Sequence, residues 1–299
     1  MSFLNPVNEP VLRFKSTDAG APQINYAART AGDVKAVLKA CLVTGYGATA
    51  SAGWTAANEV SHVIEFVSPS AAMSDYRIGI DDTSVSNTAW YYQYQDAKIT
   101  PPYNAPTKSF GGADKAHANN GWQLFVTERG LLFVELIQHS SVGRLSARIT
   151  YMGQCKSALV DTNNKNMMFF NTGHSSTQGS PNNFYISAIH ITTGSYTSGY
   201  MNTATAKILE IRDSTMGMSA VDVVSPIYVS NDNQRVLVGE LPPMLSKLVN
   251  ATSDCYGISE LDVGGRSVLS VCAGTSEVNV NYIYSWARTF LIRTDYWEY

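Results

Sequence analysis

Residues 122–136 have the sequence Trp122-Gln123-Leu124-Phe125-Val126-Thr127-Glu128-Arg129-Gly130-Leu131-Leu132-Phe133-Val134-Glu135-Leu136. Two runs of large apolar residues flank a polar turn that contains Gly130, an arrangement typical of a β-hairpin. A second hairpin is predicted at residues 260–271, because Gly264 and Gly265 can adopt the positive φ values of a two-residue turn. The two hairpins indicate antiparallel sheets.

Short strands separated by polar turns are predicted on both sides of the first hairpin. They lie at residues 60–67, 76–80 and 89–94 before it, and at 147–151, 167–171, 184–192, 207–211, 223–229, 235–238 and 282–292 after it. Almost the whole chain after residue 50 is therefore predicted to be strand and turn.

One helix is predicted, over about residues 31–43. Its apolar residues recur at steps of three and four and so lie on one stripe: Val34, Val37, Leu38, Cys41 and Leu42. Thr30 or Asp33 can cap its start, and Gly45 and Gly47 can end it. Antiparallel strands with one short helix packed on them predict a β-dominated α+β fold.

The 299 residues are expected to form one continuous β-rich body, because no linker composition marks a boundary. A weak subdivision into residues 1–150 and 151–299 is the alternative. Only 15% of the residues are charged, against about 25% in an average soluble domain. Ser, Thr, Asn and Gly take the place of the missing charges.

The charge balance excludes several classes of protein. With 21 basic and 24 acidic residues and a net charge of −3, the chain lacks the basic excess of a nucleic-acid-binding protein. No window of about 18 apolar residues predicts a membrane-spanning helix. The first ten residues lack a basic leader and a long apolar stretch, so we expect synthesis and folding in a cytosol.

Every catalytic motif lacks a part that its chemistry requires. No phosphate-binding glycine loop is present, and residues 173–177 resemble a serine nucleophile elbow in which Thr177 replaces the second glycine. The candidate carboxylate pairs are Asp81 with Asp82, and Glu260 with Asp262. Because adjacent strand residues point to opposite faces, Asp81 and Asp82 are not expected to share a site outside a turn. No catalytic residue is predicted.

No metal or cofactor site is predicted either. The five histidines show no paired spacing, and we expect His62 and His190 to be ordinary residues within strands. The four cysteines, which form no Cys-x-x-Cys pair, are expected to be free buried thiols: Cys41, Cys155, Cys255 and Cys272. If one pair were bridged, Cys255 and Cys272 would be the candidates, since a hairpin between them could bring them together.

The aromatic residues, among them seventeen Tyr and five Trp, form three runs. For residues 90–94 and 282–286, sheet packing and an interface both stay open. For the last run we predict an interface, made by Tyr296, Trp297 and Tyr299, because an exposed aromatic cluster at a chain end would be costly and adhesive.

Three segments carry a family resemblance: Ser16-Thr17-Asp18-Ala19-Gly20-Ala21-Pro22, Leu42-Val43-Thr44-Gly45-Tyr46-Gly47 and Ala52-Gly53-Trp54-Thr55. With the helix between the first and second, they resemble the amino-terminal pattern of a family of tailed-bacteriophage virion structural proteins. Weaker similarities lie at residues 77–83 and 122–126, and at 238–243, which resemble a turn of the family with Pro243 in place of glycine.

This resemblance implies a non-enzymatic particle component without catalytic residues. For the matched positions we expect structural roles: Gly45, Gly47 and Gly53 permit the turns after the helix, Pro22 fixes how the chain enters it, and Trp54 covers it. Tyr46 belongs to the same motif. Surfaces with few charges suit contacts between symmetry mates, because few ions are desolvated.

The leading functional hypothesis is therefore a virion structural protein, made in the bacterial cytoplasm, that forms a symmetric homo-oligomer with other virion proteins as partners. Tail, baseplate, neck and capsid exterior are all open as its location. The alternatives are an adhesin that binds host-surface glycans and a glycan hydrolase. An oligomer predicts aromatics buried between chains, an adhesin predicts them in an exposed groove, and a hydrolase predicts two carboxylates about 5–10 Å apart in a cleft.

Overall fold

The computed structural model describes residues 6–25, 28–85, 87–100, 105–106, 121–139, 144–157, 166–171, 185–190, 195–200, 223–231, 236–248, 258–273 and 288–299. Within these ranges the chain forms three antiparallel sheets, a two-stranded ladder and one short α-helix. The prediction of a β-dominated α+β fold is confirmed.

The strands, in chain order, are β1 (Asn8–Pro10), β2 (Leu12–Lys15), β3 (Thr55–Val60), β4 (Val63–Val67), β5 (Tyr76–Asp81), β6 (Asn87–Tyr94), β7 (Ala97–Ile99), β8 (Ala105–Pro106), β9 (Gly121–Thr127), β10 (Gly130–His139), β11 (Arg144–Gln154), β12 (Lys156–Ser157), β13 (Asn166–Asn171), β14 (Tyr185–His190), β15 (Ser195–Tyr200), β16 (Val223–Asn231), β17 (Val236–Leu248), β18 (Ile258–Val263), β19 (Arg266–Ala273), β20 (Arg288–Arg293) and β21 (Tyr296–Glu298).

The helix α1 runs from Asp33 to Lys39 and continues as a π-helical turn, Ala40–Thr44. The predicted apolar stripe is buried: Val34, Val37, Leu38, Cys41 and Leu42. The predicted capping is wrong at the start, because no side chain of the first turn caps α1. The carboxylate of Asp33 instead accepts hydrogen bonds from the backbone N–H and hydroxyl of Thr30.

The central sheet has seven strands in the order β15-β14-β13-β11-β10-β9-β2. Its middle strands are buried on both faces, and successive side chains enter two different hydrophobic cores. In β10, Leu131 and Phe133 lie in the first core, whereas Leu132 and Val134 lie in the second. The same alternation continues in β13, where Phe169 lies in the first core. The boundary considered near residue 150 falls inside β11.

An outer layer covers each face of the central sheet. The first core is closed by α1 and by the sheet β3-β4-β5-β6-β7, to which β8 adds through β6. The second core is closed by the sheet β12-β17-β20-β19-β18, with β16 paired to β17. Tyr92 ties two layers together: its hydroxyl donates to the carbonyl oxygen of Met168 (2.7 Å) and accepts from the backbone N–H of Gly153 (2.8 Å).

A ladder between β1 and β21 joins the two ends of the described chain. It places Trp297, with no exposed surface, and Tyr299, 3% exposed, in the second core. The premise of the predicted interface, that these rings would be exposed on the isolated chain, is therefore wrong for Trp297 and Tyr299. Tyr296 is half-buried, with the Arg266 guanidinium 3.4 Å from its ring centroid.

Two further local predictions are wrong. The strand expected at residues 60–67 is two strands, and His62 lies in the turn between β3 and β4. Residues 238–243, compared above with a turn, belong to the strand β17. Proline cannot donate to a ladder, and at Pro242 and Pro243 the pairing of β17 with β16 shifts register, so the strand continues through an irregularity.

The remaining predictions concern both described residues and residues outside them. Cys41 and Cys155 are buried thiols, as predicted. Three predicted features lie outside the described residues: Cys255, the strand expected at 207–211 and the whole aromatic run at 282–286. The Cys255–Cys272 bridge therefore stays a prediction. His190 is the last residue of β14, within a strand as expected.

We expect Trp297→Ala to lower the free energy of unfolding by about 3–5 kcal/mol, the usual cost of removing a buried Trp. Its ring lies edge-on to Tyr151 at 5.9 Å, and its Nε1 donates to the carbonyl oxygen of Arg293 (3.0 Å). The neighbouring Tyr296→Ala is the matched control and should cost about 1 kcal/mol. Urea unfolding measures both; equal losses would contradict burial of Trp297 in the second core.

Candidate functional site

Most of the segments that carry the family resemblance meet around α1, whereas residues 238–243 lie in β17 of the other outer sheet. We call residues 15–22, 42–55, 77–83 and 122–126 the motif cluster. Residues 15–22 extend from β2, residues 42–55 end the helix, residues 77–83 lie in and after β5, and residues 122–126 form most of β9. The structure thus brings together parts of the chain that the sequence analysis could match only one by one.

Tyr46 is at the centre of the motif cluster. Its hydroxyl donates a 2.8 Å hydrogen bond to Oδ2 of Asp18, which also accepts the backbone N–H of Lys15 at 2.9 Å. The ring lies edge-on to Trp122, with 6.5 Å between centroids. Burial, reinforced by the hydrogen bond to Asp18, raises the pKa of Tyr46. The phenol therefore stays protonated and serves as a structural donor.

Pro22 contacts the central sheet. Its carbonyl oxygen accepts a 2.9 Å hydrogen bond from Nε1 of Trp122, well before α1 begins at Asp33. Ser16 completes this joint, because its N–H donates to the Trp122 carbonyl oxygen (2.9 Å) and its Oγ accepts the Trp122 N–H (3.2 Å). The observed contact of Pro22 thus anchors residues 16–22 to β9 rather than to the helix.

The glycines of the motif make close turns after the helix. Gly45, Gly47 and Gly53 have φ values of 75°, 54° and 79°. At Gly47 a Cβ atom would collide with the carbonyl oxygen of Ala19, whereas at Gly53 no atom lies within 4 Å of the Cβ position. Gly47 is therefore required both for its backbone conformation and for the close approach of residues 19–20. Gly53 is required for its conformation alone.

Residues 52–54 donate hydrogen bonds to the carbonyl groups at the end of the helical segment. The backbone N–H of Ala52 donates to the carbonyl oxygen of Cys41 (2.8 Å), and that of Trp54 donates to Leu42 (2.9 Å). Carbonyl groups at a helix end lack partners within the helix, so residues 52–54 act as its carboxyl-terminal cap. The ring of Trp54 is 2% exposed and packs in the first core.

The start of α1 is capped by Asp82, which sequence reasoning missed. Oδ2 of this fully buried carboxylate accepts the backbone N–H groups of Val34 (2.9 Å) and Lys35 (3.2 Å). Oδ1 accepts hydrogen bonds from Arg29 and from the hydroxyl of Thr88. Burial raises the pKa of Asp82, while the Arg29 guanidinium and these hydrogen bonds oppose the shift.

The two adjacent carboxylates have separate roles, as the sequence indicates. Asp81 accepts the backbone N–H of Thr83 (3.1 Å), and this local bonding lowers its pKa. Asp82 points into the protein. The signal for its role lies in the motif at residues 77–83, but nothing local to that motif identifies Val34 and Lys35 as its partners.

A second buried carboxylate, Glu135 on β10, lies opposite Arg148 on β11. Burial raises the pKa of Glu135, while the charges of Arg148 and Arg29 lower it. Glu135 is 3% exposed and Asp82 is not exposed at all, so neither can reach a substrate from solvent. The chemistry open to Glu135 and Asp82 is to pair with buried positive charges and so to join neighbouring strands and the helix.

The described part of the chain contains no cluster of three or more His, Cys, Asp or Glu residues that could hold a metal ion. In the same residues, no helix is long and apolar enough to cross a membrane. The large hydrophobic side chains exposed among them are all aliphatic: Val7, Leu12, Val60, Val85 and Leu261. The described aromatic residues therefore form no exposed platform.

Comparison with known proteins adds no relative. A scan against protein-family profiles and a search of curated proteins both find no match to this chain.

We expect Gly47→Ala to destabilise the protein clearly more than Gly53→Ala. Both add a Cβ to a residue with positive φ, at about 1–2 kcal/mol, but only the Cβ at position 47 meets backbone atoms. Thermal unfolding of the two variants measures the difference. Equal shifts would contradict the close packing of Gly47 against Ala19.

We expect Asp82→Asn to lower the free energy of unfolding by about 3–5 kcal/mol, because Arg29 loses its buried counter-charge. The amide nitrogen that Asp82→Asn introduces would also face two groups that now donate hydrogen bonds to the carboxylate. These are the N–H groups of Val34 and Lys35 at one oxygen position, or the donors of Arg29 and Thr88 at the other. Asp81→Asn is the matched control and should cost less than about 1 kcal/mol. Chemical denaturation measures the loss of stability, and hydrogen exchange measures the protection of the amides at the start of α1. If the amides of Val34 and Lys35 keep their protection in Asp82→Asn, Asp82 does not cap the helix.

Proposed function

We propose that this protein is a non-enzymatic structural component of a tailed-bacteriophage virion. The observation that supports the proposal is the motif cluster. The residues of this cluster interlock with one another, and the roles they have are architectural: a partly buried phenol–carboxylate hydrogen bond, close glycine turns and the two caps of α1. A motif that specifies scaffold rather than chemistry is what a structural protein requires.

In this proposal the chain forms a symmetric homo-oligomer with other virion proteins, on the tail, baseplate or neck or on the capsid exterior. Two cores on either side of one sheet give a rigid body, which suits a repeated position in a particle. The buried carboxylates Asp82 and Glu135 are closed to solvent, and the large hydrophobic side chains exposed among the described residues are aliphatic. A structural role therefore fits these residues better than either alternative.

The experiment is to purify particles of the phage that encodes this chain, identify the chain by mass spectrometry and locate it by electron microscopy. We expect it at a symmetric position in the particle, and an oligomer in analytical ultracentrifugation of the isolated protein. A stable monomer that is absent from particles would refute the proposal. Binding to host glycans, or turnover of host polysaccharide, would favour the adhesin or the hydrolase instead.

A further inference from the structure

The middle of the strand β18 is exposed to solvent, while Ile258 at its start packs against the second core. The strand pairs with β19 over all six of its residues without a register shift, and among the described residues no strand pairs with its other edge. Its four middle residues are exposed: Ser259, Glu260, Leu261 and Asp262. A regular strand with one free edge is a template for another extended chain.

The hairpin turn determines which backbone groups face outward. Gly264 and Gly265 form a two-residue turn with φ values of 62° and 78°, and in such hairpins the residues that flank the turn form a hydrogen-bonded pair. That pair is Val263 with Arg266. Because bonded and non-bonded pairs alternate along an antiparallel ladder, the N–H and C=O groups of Ile258, Glu260 and Asp262 point away from β19.

The edges at β2 and β3 are protected in ways that β18 is not. The edge strand β3 contains a register shift, and Asn58 has a φ of 48°, which interrupts its outer edge. At β2 the flanking N–H groups of Val11 and Lys15 already donate to Asp295 (3.0 Å) and Asp18 (2.9 Å). Bulges and occupied backbone groups prevent strand addition, so β18 is a more open edge than β2 or β3.

The two faces of β18 differ in chemistry. Glu260 and Asp262 share one face, because side chains alternate along a strand, and Leu261 and Val263 share the other. Arg13, 2.8 Å from Glu260, lowers the pKa of that carboxyl and keeps it ionised. Leu261 is 40% exposed. A strand that fits this edge therefore needs basic residues on one face and apolar residues on the other.

A second copy of β18 does not meet that need. A twofold axis through an antiparallel strand pair places one residue opposite its own copy. The registers centred on positions 260 and 261, which pair most of the strand, place Glu260 opposite Glu260 or opposite Asp262. Like charges directly opposite each other destabilise a sheet.

We propose that the free edge of β18 binds an extended segment of another polypeptide, in which basic residues lie opposite Glu260 and Asp262 and apolar residues lie beside Leu261. The segment would extend the outer sheet by one strand through backbone hydrogen bonds to Ile258, Glu260 and Asp262. This surface does not depend on the proposed function.

The test uses two labelled eight-residue peptides, one of alternating lysine and valine and one of alternating glutamate and valine. We expect the basic peptide to bind the full-length protein about tenfold more tightly in fluorescence anisotropy at low salt, since opposite-charge pairs replace like-charge pairs. Hydrogen exchange should slow at the outward amides of Glu260 and Asp262.

Two variants make the test specific. Glu260→Pro removes one outward N–H at an edge position that tolerates proline and should abolish binding. Glu260→Lys keeps the backbone and should at least halve the preference for the basic peptide; it also covers the case in which the proline variant does not fold. Absence of binding, equal affinity for both peptides, or protection elsewhere than β18 would overturn the proposal. The proposal would also be overturned if the protein self-associates in the absence of peptide and Glu260→Pro abolishes this self-association, because a second copy of the chain would then occupy the edge.

Discussion

The architecture depends on one constraint, that the central sheet has water on neither face in its middle strands. The described buried side chains of β9, β10, β11 and β13 must therefore fit one of two cores or find a buried polar partner. Where a charge occurs there, as at Glu135, an opposite charge lies across the ladder at Arg148. The two outer layers exist to cover these faces, since a sheet with both faces apolar requires cover on both.

This constraint also bears on the composition. The scarcity of charged residues suits a surface that other subunits cover, as the virion hypothesis requires. The fold supplies a second cause, because a three-layer body has two cores and so needs more apolar residues than a single sandwich of the same length. The aromatic run at residues 90–94 illustrates this, since Trp90 and Tyr92 both lie in the first core.

Periodicity predicted the elements whose partners are close in sequence. The helix stripe and both hairpins are local patterns, and each forms where the pattern indicates. Asp82 and Trp297 could not be predicted in the same way, because their partners lie far away along the chain and no local spacing records them. The exposure assumed for Trp297 is wrong for this reason: an aromatic run in the sequence gives no sign that a distant strand will bury it in a core.

The β1–β21 ladder has a kinetic consequence. It joins segments that are nearly the full length of the described chain apart, and such contacts form late because closing a long loop costs entropy before any contact repays it. Until that ladder forms, the ring of Tyr151 lacks its neighbour Trp297, and part of the second core stays open to water. Loss of this ladder would therefore expose apolar surface of the second core, and exposed apolar surface of this kind promotes aggregation.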